Sequence, residues 1–356
     1  MKTQSMSKSI RIDRYEINKQ NPAFIIAEIG VNHNGNVDFA KKLISEAKKC
    51  GANCVKFQTF HAENIVTKDS PKADYQKKTT KRNESQFEML KQLELSKEDY
   101  KEIIYYCKKK NILFLSTPYS IADVDFLDRL KICAFKIASC QIVEPYFLRY
   151  IAEKKKPIIL STGMASFGEV DEAVRIIRDA GNEQIVLLQC TTDYPSRIED
   201  CNLKSMQAMS AVFNTLVGYS DHTNGIIPAV VAIALGAKVI EKHFTLDKNL
   251  PGPDHAASAA PKEFYTLVKN IRAAEASLGS SIKEPSKIEV KNSRIMRRSI
   301  TAVSNIKKGS KIESKMIGFK RPNEGLSPSM YSKIIGKTCL KDISKDSKIT
   351  LKDIKW

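Results

Sequence analysis

Long apolar runs are missing from this chain of 356 residues. None of its apolar runs approaches the roughly 18 residues that a membrane-spanning helix needs. The N-terminal segment MKTQSMSKSIRIDRYEINKQ is polar throughout and lacks the apolar centre of a secretory signal peptide. Together the two absences predict a cytoplasmic protein with no membrane partner.

Closely spaced cysteines and a concentrated basic segment are also missing. The eight cysteines include no Cys-x-x-Cys pair, which predicts reduced, mostly buried thiols rather than a disulfide framework or a zinc site. The formal net charge is +18, but the lysines are spread over predicted helix faces such as AKKLISEAKKC. A nucleic-acid-binding domain concentrates its basic residues on one element, so we expect no nucleic-acid partner. We interpret the charge as solvated surface whose field also favours an anionic small substrate.

What the sequence does contain, from residue 24 to residue 280, is a regular alternation of short β-branched runs and amphipathic helices. The predicted strands are 24–30, 54–60, 112–118, 134–139, 157–163, 185–190, 215–221 and 239–245. Eight strands alternating with helices over about 250 residues predict a (β/α)₈ TIM barrel. A doubly wound open sheet is the alternative, but no G-x-G-x-x-G motif follows the first strand.

The end of the chain has a different character. Residues 280–294, SSIKEPSKIEVKNSR, are polar and without periodicity, and after them come short predicted strands separated by Lys-Gly and Asp-Ser turns. The sequence therefore predicts a barrel domain over 1–280, a linker over 281–294 and a small β-rich domain over 295–356.

Every predicted barrel strand ends in polar or ionisable residues, which packing alone does not require. Barrel enzymes carry their catalytic groups at the carboxyl ends of the strands. We therefore expect one polar site, formed by Glu28, Asn32–Gly35, Lys56, Gln58, Ser116, Thr117, Lys136, Ser139, Ser161–Gly163, Thr191, Thr192, Ser220–His222 and Glu241–His243.

Lys56 and Lys136 are flanked by apolar residues, and a buried lysine is costly unless an anion accompanies it. Three interpretations remain open. A carboxylate such as Glu28 neutralises the lysine, or the two cations and nearby hydroxyls hold a phosphate or carboxylate. The third is a Schiff base, which needs only one lysine.

His222 and His243 end the last two predicted strands, beside Asp221 and Glu241. Two imidazoles at adjacent strand ends indicate a divalent metal site, and nitrogen ligands suit Mn²⁺, Fe²⁺, Co²⁺ or Zn²⁺ better than Mg²⁺ or Ca²⁺. The loop LPGPDHAAS at 250–258 follows the eighth strand, so we expect it to contact substrate.

With these residues identified, nearly the whole chain resembles the sialic acid synthases, within the wider family of phosphoenolpyruvate-dependent nonulosonic acid synthases. The part after residue 294, with IKKGSKI and FKRPNEG, resembles that family's antifreeze-protein-like (SAF) domain. The motifs that carry the resemblance are AEIGVNHNG, GANCVKFQTF, STP, FKIAS, ILSTGM, QCTTDYPS, GYSDHT, IEKHFTLD and GPDHAAS.

The resemblance implies a TIM barrel with an appended SAF domain, in a domain-swapped homodimer whose small domain caps the partner's site. It implies that phosphoenolpyruvate condenses with an N-acyl amino sugar to give a nine-carbon 2-keto sugar acid and phosphate. It also implies a divalent metal, most often Mn²⁺ with Mg²⁺ or Co²⁺ as alternatives, held by His222 and His243. That metal polarises the sugar aldehyde.

The resemblance assigns roles to further residues. Glu28, Lys56, Lys136 and the position of Gln141 match catalytic positions. The matched substrate-binding residues are Gln58, Thr117, Ser139, Ser161, Thr192, Tyr194, Ser220, Asp254 and Arg321. The family usually has an acid where this chain has Gln141, and an amide cannot act as a general base. Thr192 stands where some sialic acid synthases have asparagine.

The acceptor sugar is the open question. N-Acetylmannosamine, giving N-acetylneuraminate, is the first choice, and a legionaminic acid synthase acting on a 2,4-diacetamido-2,4,6-trideoxy-mannose is the alternative. A pseudaminic acid synthase fits the motifs less well, and a 9-phosphate product or an arabinoheptulosonate-type reaction are further alternatives. A different class is a non-catalytic sugar- or phosphate-binding barrel, in which Gln141 marks lost activity.

Overall fold

The computed structural model describes residues 8–80 and 83–356. The first seven residues of the predicted barrel domain and of the polar N-terminal segment lie outside the described residues. The chain divides after Gly279 into two compact units, the second of which is Ser280–Trp356. No helix in the described part of the chain is long and apolar enough to cross a membrane.

The first unit begins with a short antiparallel hairpin, β1 (Ile10–Ile12) and β2 (Tyr15–Ile17), which the sequence analysis did not predict. Eight parallel strands of the described residues follow as a nearly closed barrel. They are β3 (Phe24–Gly30), β4 (Cys54–Thr59), β5 (Leu113–Pro118), β6 (Phe135–Ile137), β7 (Ile158–Ser161), β8 (Ile185–Cys190), β9 (Leu216–Asp221) and β10 (Val239–His243).

Neighbouring strands in this sheet follow the order β5-β4-β3-β10-β9-β8-β7-β6, and β5 lies beside β6 where the barrel closes. Each predicted strand is present, so the prediction of a TIM barrel is confirmed. After β6 and the extended Ala138, the chain enters a short 3₁₀ turn, Ser139–Gln141, where the sequence analysis had extended the strand to residue 139.

The longer helices pack around the barrel through an apolar stripe. In the helix that contains Val170, Ala173, Val174 and Ile177, these buried residues recur at helical spacing. The helices are α1 (Val37–Lys49), α2 (Asp74–Thr79), α3 (Gln86–Lys91), α4 (Lys97–Lys109), α5 (Ile121–Arg129), α6 (Pro145–Glu153), α7 (Phe167–Asp179), α8 (Ser205–Phe213), α9 (Ile227–Ala234) and α10 (Pro261–Leu278).

Alternation along the strands separates two apolar cores. On β3, Ile25, Ala27 and Ile29 belong to the large core between sheet and helices. Phe24 and Ile26 belong to the core inside the barrel, which residues of the β1–β2 hairpin also join. Because side chains alternate, Glu28 continues the inward-facing row where the apolar interior ends. The barrel therefore has an apolar interior and a polar mouth.

The second unit has its own small apolar core, which includes Ile300, Ile312, Ile334 and Ile349. Its elements are α11 (Lys287–Met296), β11 (Ser299–Ala302), β12 (Ile317–Lys320), α12 (Tyr331–Ile334), β13 (Thr338–Cys339) and β14 (Ile354–Lys355). Strands β11–β12 and β13–β14 pair antiparallel. Helix α11 occupies part of the predicted linker 281–294, and a capping box of Ser286 and Glu289 starts it.

Candidate active site

A polar cavity of about 140 Å³ lies at the carboxyl ends of the barrel strands. It gathers most of the residues that the sequence analysis selected, from β3 to β10. Those residues are Glu28, Lys56, Gln58, Thr117, Lys136, Ser139, Ser161, Thr192, Tyr194, Ser220, His222 and His243.

Both lysines in the cavity wall are buried and hydrogen-bonded to a hydroxyl. Lys56 Nζ donates to Thr117 Oγ1 at 3.0 Å and forms an ion pair with Glu28 Oε2 at 2.8 Å. Lys136 Nζ donates to Ser161 Oγ at 2.7 Å. The ion pair between a buried lysine and Glu28 is therefore present, which is one of the interpretations given above. Two lysine side chains also face the cavity.

Glu241, which the sequence analysis expected in the polar site without assigning it a role of its own, links these two cations. Its Oε1 lies 3.9 Å from Lys56 Nζ and 3.6 Å from Lys136 Nζ, and it accepts a hydrogen bond from Ser220 Oγ at 3.2 Å. Its Oε2 has no hydrogen-bond partner among the described residues. A signal was available, because Glu241 and His243 are two residues apart on one strand and therefore share a face.

Burial and the charges of neighbouring side chains set the protonation states of Glu28, Glu241 and Lys136. Burial raises the pKa of Glu28 to about 7 against the opposing effect of Lys56. Burial also disfavours ionised Glu241, but Lys136 and Lys56 outweigh it and hold the pKa of Glu241 below its usual value. Burial lowers the pKa of Lys136. The cavity therefore contains one firmly ionised carboxylate and one that titrates near neutral pH.

The two histidines offer nitrogen lone pairs at the cavity wall. His222 Nδ1 donates to the carbonyl oxygen of Thr191 at 2.7 Å, which leaves Nε2 unprotonated in the neutral ring. His243 lies with its ring centroid 5.4 Å from that of His222, and its Nδ1 has no hydrogen-bond partner among the described residues. Burial and then the charge of His222 lower the pKa of His243 well below its usual value, which keeps the ring neutral.

This donor set fits a divalent metal ion. Imidazole nitrogens and an unpartnered carboxylate oxygen of Glu241 are ligand types that Mn²⁺, Co²⁺ and Zn²⁺ accept. Elsewhere in the described residues, His61, Glu63 and Glu94 form a surface cluster whose donor atoms lie within 4.8 Å of one another. Lys91 Nζ lies 2.7 Å from Glu63 Oε1 and 3.2 Å from Glu94 Oε2, so a lysine already pairs with both carboxylates of that surface cluster.

A second pocket of about 190 Å³ adjoins the polar cavity. The two share Gln58, Tyr119, Tyr194 and His243. Asp254, from the loop that follows β10, lines this second pocket, as expected for a substrate-contacting loop. Its Oδ2 lies 3.8 Å from His243 Nδ1, and burial raises the pKa of Asp254 to about 6.

Two residues that were selected from the sequence line neither the polar cavity nor the second pocket. Gln141 is 2% exposed, and its Oε1 accepts a hydrogen bond from the backbone N–H of Ala138 at 3.4 Å, because the 3₁₀ turn after β6 carries the side chain away from the strand direction. Arg321 is exposed in the second unit, directly after β12. Among the described lining residues, neither one appears.

Five lining residues were missed from the sequence: Tyr119, Ala138, Cys140, Met164 and Cys190. Gly163, which was expected at the site, packs tightly behind one wall, since a Cβ there would lie 2.9 Å from Ser139 Oγ and closer still to Thr192 Oγ1. Glycine therefore lets the chain after β7 pass close to the hydroxyls of the neighbouring loops.

Comparison with known proteins agrees with this architecture. A model described as the NeuB family matches residues 43–283, and one described as the SAF domain matches residues 297–355. N,N′-diacetyllegionaminic acid synthase of Campylobacter jejuni is 47% identical, over 91% of this chain and 98% of that protein. N-acetylneuraminate-9-phosphate synthase of Homo sapiens is 34% identical, over 93% of this chain and 92% of that protein.

A solved structure supports the same conclusion. The N-acetylneuraminic acid (sialic acid) synthetase of Leptospira borgpetersenii, crystallised with citrate, superposes with a TM-score of 0.71 at 33% identity, over 80% of this chain and 95% of that one. The resemblance drawn from the sequence motifs is therefore confirmed. The chain belongs to the NeuB family of nonulosonic acid synthases, phosphoenolpyruvate-dependent transferases that form a carbon–carbon bond, and it carries a SAF domain.

Proposed function

We propose that this enzyme condenses phosphoenolpyruvate with an N-acetylated mannose-type aldehyde, with N-acetylmannosamine as the reference acceptor and N-acetylneuraminate as its product. The observation that carries the proposal is the pair of buried lysines, each hydrogen-bonded to a hydroxyl, beside the two imidazoles of His222 and His243. A compact polar cavity with two cations suits a small molecule that bears both a carboxylate and a phosphate.

Lys56 and Lys136 bind the two anionic groups of phosphoenolpyruvate in this proposal. Hydroxyls of Thr117, Ser139, Ser161 and Ser220 donate the remaining hydrogen bonds. Ser220 Oγ and both lysines already surround Glu241 Oε1, so the anion enters a site whose donors are held in place before it arrives.

The reaction balances with one water. C3 of phosphoenolpyruvate attacks the aldehyde carbon, whose oxygen takes a proton and becomes a hydroxyl. Water then adds to the cationic C2, and the bond between C2 and the phosphate oxygen breaks to release inorganic phosphate and the 2-keto acid. Glu28, with a pKa of about 7, is the carboxyl suited to exchange a proton near neutral pH.

His222 and His243 are the residues that would hold the divalent metal, which we propose to be Mn²⁺. When bound there, it would supply Lewis-acid polarisation of the acceptor aldehyde. Gln58, Tyr194 and Asp254, which line the adjoining pocket, orient the sugar. We further propose a cytoplasmic, domain-swapped homodimer in which Arg321 of one protomer contacts the N-acyl group bound by its partner.

The comparisons favour a second acceptor. The diacetyllegionaminic acid synthase named above is 47% identical to this chain, against 34% for the N-acetylneuraminate-9-phosphate synthase. That difference supports 2,4-diacetamido-2,4,6-trideoxy-mannose as an alternative substrate of the same reaction, with diacetyllegionaminic acid as the product.

Acceptor-dependent release of phosphate tests the proposal. Purified protein with Mn²⁺ and phosphoenolpyruvate is given each sugar, and we expect phosphate only when an acceptor is present. Lys136→Met removes a buried cation and should lower kcat/KM for phosphoenolpyruvate by about 30-fold or more. The control is Lys154→Met. It removes a lysine that lies outside the cavity wall and pairs with Asp125 at 2.7 Å. Phosphate release that depends on neither the acceptor nor Lys136 would indicate a phosphatase, and no release with any of the sugars would leave only a binding barrel.

A further inference from the structure

Residues 32–35, which follow β3, were expected at the polar site, but none of them is among the described residues that line the polar cavity or the second pocket. Two of their side chains instead hydrogen-bond to the chain that follows β10. That stretch carries Asp254, which lines the second pocket. The contact of this segment with the site is therefore indirect, through the loop of Asp254.

The amide of Asn32 is completely buried and holds two points of that stretch at once. Asn32 Nδ2 donates to the carbonyl oxygen of Phe244 at 2.9 Å and to Ser258 Oγ at 2.8 Å. Ser258 Oγ in turn donates to the carbonyl oxygen of Asp254 at 2.6 Å. Because Phe244 follows His243 directly, one amide joins the end of β10 to the backbone of Asp254.

Asn34 supports the same loop at a second place. Its Nδ2 donates to the carbonyl oxygen of Pro251 at 2.9 Å, and its Oδ1 lies 3.4 Å from His255 Nε2. His255 is buried, and its Nδ1 is hydrogen-bonded to Thr245 Oγ1 at 2.6 Å. The loop is therefore held on both sides of Asp254.

The contacts at position 32 need two donors on one short side chain. An amide nitrogen carries two N–H groups, and both of its acceptors here are oxygen atoms. A smaller apolar side chain would leave the buried carbonyl of Phe244 and the hydroxyl of Ser258 without these bonds. The backbone of Asp254 would then be free to shift, together with the carboxylate that lies 3.8 Å from His243 Nδ1.

We propose that Asn32, acting through Ser258, is a positioning residue that holds Asp254 in place for the acceptor sugar. This inference rests on the proposed function, because it assumes that Asp254 orients the acceptor. A misplacement of about 1 Å costs up to about 100-fold in rate. Lys56 and Lys136 keep their own hydroxyl partners on other strands, so the effect falls on the acceptor rather than on phosphoenolpyruvate.

Steady-state kinetics of Asn32→Ala and Ser258→Ala test the inference, with Mn²⁺ and the acceptor that gives the faster phosphate release. We expect each variant to lower kcat/KM for the acceptor by about tenfold or more, while the KM for phosphoenolpyruvate stays within twofold. The amount of Mn²⁺ retained after desalting should equal that of the parent enzyme, because both imidazoles remain.

Asn182 provides a matched control away from the cavity. It is also buried, and its Nδ2 donates to the carbonyl oxygens of Lys156 and Ala152, at 2.8 Å and 3.4 Å, before β8 begins at the other end of the barrel. Asn182→Ala should lower the free energy of unfolding in urea, as Asn32→Ala does, and leave both KM values within twofold.

An Asp254→Ala background shows whether the effect passes through Asp254. There, Ser258→Ala should change kcat/KM for the acceptor by less than about twofold, because the carboxylate that it positions is gone. If Asn32→Ala does not fold, Ser258→Ala alone supplies every outcome.

Four results with Ser258→Ala would overturn the inference and leave the condensation standing. They are an unchanged kcat/KM for the acceptor, an equal rise in the KM for phosphoenolpyruvate, loss of the retained Mn²⁺, and a full loss that persists in the Asp254→Ala background. Absence of phosphate release by the parent enzyme with every acceptor overturns the proposed function itself.

Discussion

Lys242 Nζ donates to Asp221 Oδ2 at 2.7 Å, and this buried ion pair joins β10 to β9 directly behind the two histidines. Each partner precedes a histidine in the chain, since Asp221 comes before His222 and Lys242 before His243. Thr223 completes the arrangement. Its N–H and hydroxyl donate to Asp221 Oδ1, and its carbonyl accepts from Lys242 at 2.8 Å. The pair therefore fixes the spacing of the strand ends that carry the imidazoles.

Breaking this ion pair should be costly. In Lys242→Met the carboxylate of Asp221, which is 1% exposed, stays buried without its cation. We expect the free energy of unfolding to fall by about 3–5 kcal/mol, measured by chemical denaturation. The double variant Asp221→Asn with Lys242→Met removes both charges and should recover a large part of that loss. Equal losses in the single and double variants would mean that the charges do not interact.

The metal site can be located by comparing two histidine substitutions. His222→Ala removes an imidazole of the cavity, and His61→Ala removes one from the surface cluster with Glu63 and Glu94. After loading with Mn²⁺ and desalting, we expect His222→Ala to lose the metal and the condensation activity. His61→Ala should retain both. The reverse pattern would place the functional metal at the surface cluster.

Gln141→Glu tests whether an acid at this position restores the chemistry that other family members obtain there. The side chain is buried, and among the described residues its Nε2 has no hydrogen-bond partner. A carboxylate at this position would be desolvated without a cation, so we expect reduced thermal stability and a turnover within about tenfold of the parent enzyme. A gain in turnover above tenfold would show that position 141 reaches the reacting atoms.

Acid should destabilise the enzyme through His33. Burial lowers its pKa to about 4, whereas the ring titrates near 6.5 in the unfolded chain. Between these values only the unfolded state takes up the proton, so the contribution of neutral His33 is complete above pH 6.5 and disappears as the pH falls to about 4. The full loss is about 3 kcal/mol. In urea titrations, the stability of His33→Gln should depend less on pH across this window, and parallel profiles would contradict the assignment.

The barrel was predictable because each of its strands is an apolar run bounded by turn residues. At β3, the segment FIIAEIG indicates both the strand and its polar end. The β1–β2 hairpin was not predictable in the same way, since a three-residue strand has too few side chains to show a period. Helix α11 was missed for another reason. Its apolar residues, such as Ile288 and Ile295, are exposed and leave no buried stripe, and only the Ser286 cap marks its start.

The polar site was predictable because a barrel carries its catalytic groups at the carboxyl ends of its strands. Lys56, Lys136 and both histidines followed from that rule. The role of Glu241 between the lysines depends on contacts from three strands, which no single segment contains. The position of Gln141 outside the cavity wall could not be predicted either, because it depends on the chain leaving extended geometry after Ala138.

The fate of the water oxygen tests the central claim most directly. The enzyme is incubated in ¹⁸O-labelled water with phosphoenolpyruvate, Mn²⁺ and the 2,4-diacetamido-2,4,6-trideoxy-mannose acceptor, and the products are weighed by mass spectrometry. Condensation with cleavage between C2 and oxygen predicts a nine-carbon 2-keto acid and inorganic phosphate that contains no ¹⁸O. Labelled phosphate accompanied by pyruvate, with no nine-carbon product, would contradict a synthase and identify a hydrolase instead.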